Sequence, residues 1–92
     1  MTERSLPPSV RPERRTPTWT AESVPPALLG EHHTTVWAEL VVEAGTVEFR
    51  EEDGWTATAS AGERLVIVPE CRHRIAPSAD ARFHVQFYAP AG

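Results

Sequence analysis

Short segments in which apolar and polar residues alternate, with turn signals between them, constrain the fold of this chain most strongly. Residues 37–43 alternate over seven positions and place Ala38, Leu40 and Val42 on one face. This period of two is typical of a half-buried β-strand. No segment from residue 31 onward has a clear apolar period of 3.6, so no long helix is predicted there. Further strands are predicted at residues 46–51, 55–59, 63–68 and 81–88, with turns at Ala44-Gly45, Asp53-Gly54 and Ala61-Gly62.

Short strands that follow one another about every 8–12 residues indicate a sandwich or a small barrel. A chain of 92 residues is long enough for one hydrophobic core and too short for two. Its hydrophobic content of 40% and charged content of 24% are ordinary for a globular domain and exclude wholesale disorder. The sequence therefore predicts one all-β domain.

The N-terminal region is rich in proline, with six of the nine prolines in residues 1–26. Proline fixes φ and lacks a backbone donor, which disfavours both a regular helix and a central strand. We therefore expect an extended, partly mobile arm over residues 1–15 and a folded domain over residues 16–92. Within residues 16–23 a short edge strand is expected to anchor the arm through Trp19.

The charge and the cysteine content limit the partners and the compartment. The net charge of −4 argues against a general nucleic-acid binder, which needs a basic face. All nine basic residues are arginine, and those at positions 4, 11, 14 and 15 indicate a solvated arm or, as the alternative, a polyanion-binding one. No apolar run is long enough to span a bilayer, and the N-terminus lacks the apolar core of a signal peptide. The single cysteine, Cys71, excludes an intrachain disulfide. Cytoplasmic residence without membrane contact is the resulting expectation.

The four histidines lie in three separate segments that the fold could bring together. His32 and His33 precede the first clear strand, His73 follows the fourth, and His84 shares a face of the last strand with Gln86. Neutral imidazole is the commonest protein ligand for Zn, Ni, Fe or Cu. These five residues are the candidates for a divalent metal site, with His73 and at least one of His32 and His33 expected as ligands. His84 and Gln86 are either further ligands or hydrogen-bonding neighbours of the site. Successive strand residues face opposite ways, so one of His32 and His33 is expected to point inward, with His33 slightly favoured; an irregular strand would allow both.

Two longer strings resemble the motifs of the cupins, small barrels whose interior commonly holds one divalent metal. EHHTTVWAELVVEAG, residues 31–45, resembles the first motif, with Ala38 where that motif has a glutamate. GERLVIVPECRHRI, residues 62–75, resembles the second, with Cys71 where glycine is usual. Glu31 is an alternative carboxylate for the site.

The whole pattern is similar to a narrower group, the TehB/YeaR-like small cupins associated with tellurite resistance. The resemblance runs from about residue 6 to residue 90. It rests on Leu6-Pro7, Arg15-Thr16-Pro17 and Trp19, on LLGEHHT (residues 28–34), on VWAELVVEAG (36–45), on VPECRH (68–73) and on FHVQFY (83–88).

This resemblance implies a single cupin-type double-stranded β-helix, that is, a jelly-roll barrel, with the proline-rich arm before it. It also implies metal binding, a small-molecule ligand for which an anion is one candidate, a role in stress or oxyanion resistance, and a homodimer. The alternative is a non-enzymatic ligand-sensing or structural module without a functional metal. No nucleophile–base pair stands out in the sequence, so no particular reaction is predicted.

Other polar residues near the motifs have two interpretations each. Cys71 is expected to act as a small hydrophobic residue rather than as a reactive thiolate. Arg64, Arg72 and Arg74 are expected either to surround the mouth of the barrel and attract an anion, or to be solvated surface residues.

Overall fold

The computed structural model describes residues 5–91, which form eight β-strands and one single-turn 3-10 helix. The helix, Pro26–Leu28, lies between the second and third strands. Within residues 5–91, no helix is long and apolar enough to cross a membrane. The strands are β1 (Val10–Arg15), β2 (Trp19–Thr20), β3 (Ala38–Ala44), β4 (Thr46–Glu51), β5 (Thr56–Ser60), β6 (Arg64–Ile67), β7 (His73–Pro77) and β8 (Arg82–Pro90).

The strands pair antiparallel in two sheets. One sheet has the order β1–β8–β3–β6, with β2 also paired to β8, and the other has the order β5–β4–β7. The all-β prediction is confirmed. The form is an open sandwich rather than a closed barrel, because no ladder of strands joins the two sheets within residues 5–91. One isolated bridge between His32 and His73 links the segment before β3 to β7.

Side chains that alternate along the strands form the core between the sheets. Ala38, Leu40 and Val42 of β3 are buried as the sequence pattern predicts, and they share the core with Phe49 and Phe83. Full burial of a phenylalanine contributes about 1.5–3 kcal/mol, so these two rings are major contributors to the stability of the sandwich. The remaining buried core residues are Val24, Val47, Ala59, Ile67, Ile75, Ala81 and Val85.

Residues 10–15, which were expected to belong to the arm, form β1 of the first sheet. β1 pairs with the C-terminal half of β8, and Pro12 is tolerated because β1 lies at the sheet edge. The expected short edge strand is β2, where the ring of Trp19 meets the ring of Phe83 edge-on at 6.2 Å. Residues 1–4 of the predicted arm, which include Arg4, lie outside the described residues.

β7, like β1, is a strand that the sequence pattern did not predict. Only His73 and Ile75 are buried in it, while Arg74 and Ala76 are exposed, so its apolar signal is weak. Its pairing with β4 supplies the hydrogen bonds that make it a strand. This strand carries His73 into the interior.

Candidate functional site

A cavity of about 310 Å³ lies among residues contributed by both sheets. This volume is at the lower end of the range for small-molecule sites, about 300–1,000 Å³, so it fits a ligand of few atoms. The segment 32–36, which leads into β3, forms one side. The other lining residues are Arg14, Thr16, Trp19, Leu28, Ile67, His73, Val85 and Phe87.

His73 is the most buried polar group of the cavity, with 2% of its surface exposed. Its ring packs against that of Phe49, with 4.7 Å between centroids, and meets the ring of His32 edge-on at 4.3 Å. Backbone hydrogen bonds in both directions tie His73 to His32, with N···O distances of 2.8 and 2.9 Å. Burial, together with the nearby His32, lowers the pKa of His73 from 6.5 to about 4. His73 is therefore neutral at pH 7.

The hydrogen bonds of the two paired histidines determine which ring nitrogen carries the proton. Nδ1 of His73 lies 3.0 Å from the carbonyl oxygen of Cys71, and Nδ1 of His32 lies 3.0 Å from that of Gly30. A carbonyl oxygen only accepts, so each Nδ1 must donate. In the neutral rings Nε2 then carries a lone pair, which can accept a hydrogen bond or bind a metal.

His33 also lines the cavity but has a different partner. Its side chain is 45% exposed, and its Nε2 lies 3.6 Å from a carboxylate oxygen of Glu70. His32 rather than His33 is thus paired with the buried His73. Both are placed at the cavity, since the segment before β3 is not a regular strand.

His84 and Gln86 lie on the opposite face of β8, away from the cavity. Nδ1 of His84 is 2.7 Å from Oε2 of Glu43, and the Gln86 amide donates to the carbonyl oxygen of Arg14 at 2.9 Å. The alternation of β8 causes this separation, because Val85 and Phe87 face the cavity. The predicted five-residue set is not brought together. Within residues 5–91, no group of three or more His, Cys, Asp or Glu side chains is arranged to hold a metal.

Sequence reasoning missed one residue of the cavity lining, Arg14, and one buried polar residue beside His73, Glu51. Arg14 lines the cavity, with its Cζ 4.2 Å above the centroid of the Phe87 ring, although the sequence grouped it with a solvated arm. Glu51 is 2% exposed and lies opposite His73 in the β4–β7 ladder. For Glu51 a signal was present, because the alternation of β4 places it on the same face as Phe49.

The remaining predicted polar residues form surface contacts. Arg64 pairs with Glu39 at 3.1 Å, and Arg72 pairs with Glu31 at 3.5 Å. These two arginines and Arg74 do not line the cavity.

The polar lining of the cavity is cationic or neutral. It consists of one guanidinium, three imidazoles and three threonine side chains, and no carboxylate of residues 5–91 belongs to it. This is a selective distribution, because the chain carries 13 acidic residues and a net charge of −4. The lining side chains themselves therefore favour an anionic or neutral ligand over a cationic organic one.

The fold and this cavity define a small antiparallel β-sandwich domain with a ligand-sized polar cavity lined by residues of both sheets. The TehB-like domain model matches residues 14–85, and the chain belongs to this family. The resemblance drawn from the motifs is thereby confirmed. No curated protein matches the chain.

Two solved structures share the fold. A protein of E. coli strain K12, determined by the Northeast Structural Genomics Consortium, superimposes with a TM-score of 0.91 at 21% identity, over 98% of this chain and 91% of that one. TehB from Haemophilus influenzae superimposes with a TM-score of 0.80 at 23% identity, over 90% of this chain. The match covers 32% of the TehB chain, so this protein corresponds to about a third of TehB.

Proposed function

We propose that this protein is a binding domain for a small oxyanion, taken up in a singly protonated form. The observation that carries the proposal is the combination of Arg14 with His32 and His73 around one cavity that no carboxylate of residues 5–91 lines. The role is that of a binding or sensing module in oxyanion stress, as the tellurite association of the family implies. It requires no reaction.

The donors and acceptors of the cavity define the form of the anion. Arg14 is a permanent donor and matches the charge of the anion. His32 and His73 each donate Nδ1–H to a backbone carbonyl, which leaves Nε2 as an acceptor when the ring is neutral. An acceptor favours a ligand hydroxyl over a bare oxygen. The ligand should therefore carry both a negative oxygen and a hydroxyl group.

Selenite and sulfate provide a matched pair of probes. Selenite is singly protonated near neutral pH, whereas sulfate is fully deprotonated and has no hydroxyl to donate. Titration calorimetry at pH 7 in the presence of a chelator should show that selenite binds and that sulfate binds about tenfold more weakly. A tenfold difference in affinity corresponds to roughly 1.4 kcal/mol, the contribution of one well-made hydrogen bond. Absence of selenite binding, or equal binding of sulfate, would contradict the proposal.

A metal centre is the second candidate, favoured by the same free Nε2 atoms. A histidine that ligates a metal commonly donates its other ring N–H to a carbonyl, as His32 and His73 do. Two imidazoles fit such an ion, and His33 would complete the site only after leaving Glu70. Zn, Ni, Fe and Cu all suit imidazole donors.

Equilibrium dialysis against Zn²⁺ separates the two candidates. Stoichiometric zinc that is lost in His73→Ala, together with selenite binding only when zinc is present, would favour the metal centre. Selenite binding that persists in the chelator favours the direct oxyanion site.

A further inference from the structure

The register of β1 against β8 changes in the middle of the strand. Val10 to Pro12 pair with Pro90 to Tyr88 in regular order, and the next pair is Arg14 with Phe87. Glu13 has no partner position of its own, so two residues of β1 oppose one residue of β8. This is a β-bulge, a feature that re-aims side chains and is common beside functional sites.

The bulge determines which face of the sheet Arg14 occupies. If the ladder continued regularly from Pro12, Arg14 would fall opposite Gln86, on the outer face that also carries His84. With the extra residue it falls opposite Phe87 and over its ring, at the cavity. The neighbouring Arg15 then takes the outer face.

Contacts downstream of the bulge fix this placement. The amide of Gln86 donates to the carbonyl oxygen of Arg14 at 2.9 Å. The backbone N–H of Thr16 donates to the carbonyl of Val85 at 2.9 Å, and the N–H of Val85 donates to the Thr16 hydroxyl at 3.0 Å. These bonds define the position of Arg14 from its C-terminal side, independently of Glu13.

The guanidinium groups of Arg14 and Arg15 also have different neighbours. Arg15 donates to the hydroxyl of Thr18 at 3.0 Å and lies 4.0 Å from a carboxylate oxygen of Glu43. Within residues 5–91, Arg14 has no carboxylate partner, and its guanidinium lies over an aromatic face instead. Its N–H groups therefore remain available to a ligand.

We propose that Arg14 is a specificity-determining residue of the cavity, and that the bulge at Glu13 allows it to face the site. This rests on the proposed oxyanion function and names the feature recognised: two oxygens on one central atom, which take two parallel N–H groups of the guanidinium. A guanidinium fork matches that geometry, whereas an ammonium group does not. Stacking on Phe87 orients the plane of the fork.

Two single-residue deletions test this inference as a matched pair. Deleting Glu13 or deleting Arg14 gives chains of equal length, and each restores a regular ladder. Deletion of Glu13 leaves Arg14 opposite Phe87, whereas deletion of Arg14 leaves Glu13 there. We expect selenite affinity within about threefold of wild type in the first variant and at least about tenfold weaker in the second, since a charge-assisted bidentate pair is replaced by a like charge.

Substitutions supply the controls. Arg15→Gln should leave selenite affinity unchanged, because Arg15 lies on the outer face. Arg14→Lys keeps the positive charge but lacks the two parallel N–H groups of the guanidinium. It should weaken selenite binding by about tenfold and change the binding of chloride, a single-atom anion, little. Amide NMR spectra establish that each variant is folded.

The outcomes separate this inference from the proposed function. If wild-type protein binds no selenite, both are overturned. If wild type binds selenite and the two deletions bind it equally, or Arg14→Lys binds as wild type does, the role of Arg14 is overturned while the oxyanion site stands.

Discussion

The buried imidazole of His73 makes the stability of this protein depend on pH. Its pKa is lowered from 6.5 to about 4 by burial, so between these values the unfolded chain binds the proton more readily than the folded one. The stabilising effect is complete above pH 6.5 and is lost as the pH falls toward 4. Over that window His73 should remove on the order of 2–3 kcal/mol from the free energy of unfolding.

The variant His73→Phe isolates this contribution, because it keeps an aromatic ring against Phe49 but cannot take up a proton. Urea unfolding at pH 7.5 and pH 4.5, with a chelator present, should show a smaller acid-induced loss in the variant than in wild type. An identical loss in both proteins would mean that His73 titrates normally in the folded state.

At the scale of one strand, the two faces of β8 have different roles. Val85 and Phe87 line the cavity, whereas His84 donates to Glu43 on the outer face and thereby lowers the pKa of that carboxyl. The His84 side chain is 12% exposed and that of Glu43 37%, so loss of this ion pair in His84→Ala should lower stability by on the order of 1 kcal/mol. Selenite affinity, measured by calorimetry, should not change. A loss of binding comparable to that of His73→Phe would place His84 in the site.

The turn between β3 and β4 requires glycine for two reasons. Gly45 has φ of +66°, and a Cβ there would lie 2.7 Å from Oδ1 of Asp80 and 2.8 Å from the backbone Cα of Ala81. Gly54 also has a positive φ, of +99°, but a Cβ there would meet open space.

Gly54→Ala is thus the control for Gly45→Ala. We expect Gly54→Ala to lower the free energy of unfolding by about 1–2 kcal/mol through backbone strain alone. Gly45→Ala should lower it by about 1 kcal/mol or more beyond that, because the new Cβ also clashes with its neighbours. Chemical denaturation measures both. Equal costs would show that the loop of residues 78–81 moves away freely.

The strands that could be predicted are those whose inner face is apolar. Residues 46–51 alternate cleanly and form β4 with the expected bounds, and β3 lies within one residue of its expected position. β7 was missed because His73 takes an inward position where an apolar residue would have given the signal. The bulge at Glu13 could not be foreseen, because it is a property of the pairing between two strands and leaves no pattern in either sequence.

The histidines were identified by type, but their grouping depends on which face of each strand is inward. His32, His33 and His73 reach the cavity, and for His84 the alternation alone allowed either face. The position of Arg14 at the cavity could not be predicted from the sequence either, because it depends on the bulge. Identifying the residues of the site thus required knowledge of the strand pairing, whereas the fold class could be predicted from the sequence alone.

At the scale of the whole molecule, β1 connects the N-terminal segment to both the fold and the cavity. Removing residues 1–8 leaves β1 and the hydrogen bond between Ser9 and Ala91 in place, and should change the melting temperature little. Removing residues 1–15 deletes a ladder of five residue pairs and Arg14, and should lower it by several degrees and abolish selenite binding. Thermal unfolding followed by circular dichroism measures the difference. Equal melting temperatures would mean that β1 adds nothing to the sandwich.

β1 lies at an open edge of the first sheet, which bears on assembly. We propose a homodimer with the N-terminal segment or the Trp19 strand at the contact, since open sheet edges favour pairing between chains. Sedimentation of the full-length chain at high micromolar concentration tests this, and a monomer there would contradict it.

The central claim is that a small oxyanion binds in the cavity between Arg14 and the His32–His73 pair. Crystals grown with selenite allow the anion to be located directly by the anomalous scattering of selenium. We expect one dominant anomalous peak inside the cavity, within hydrogen-bonding distance of the Arg14 guanidinium and of Nε2 of His73. A cavity without such a peak at saturating selenite, or selenium bound only on the outer face near His84, would contradict it.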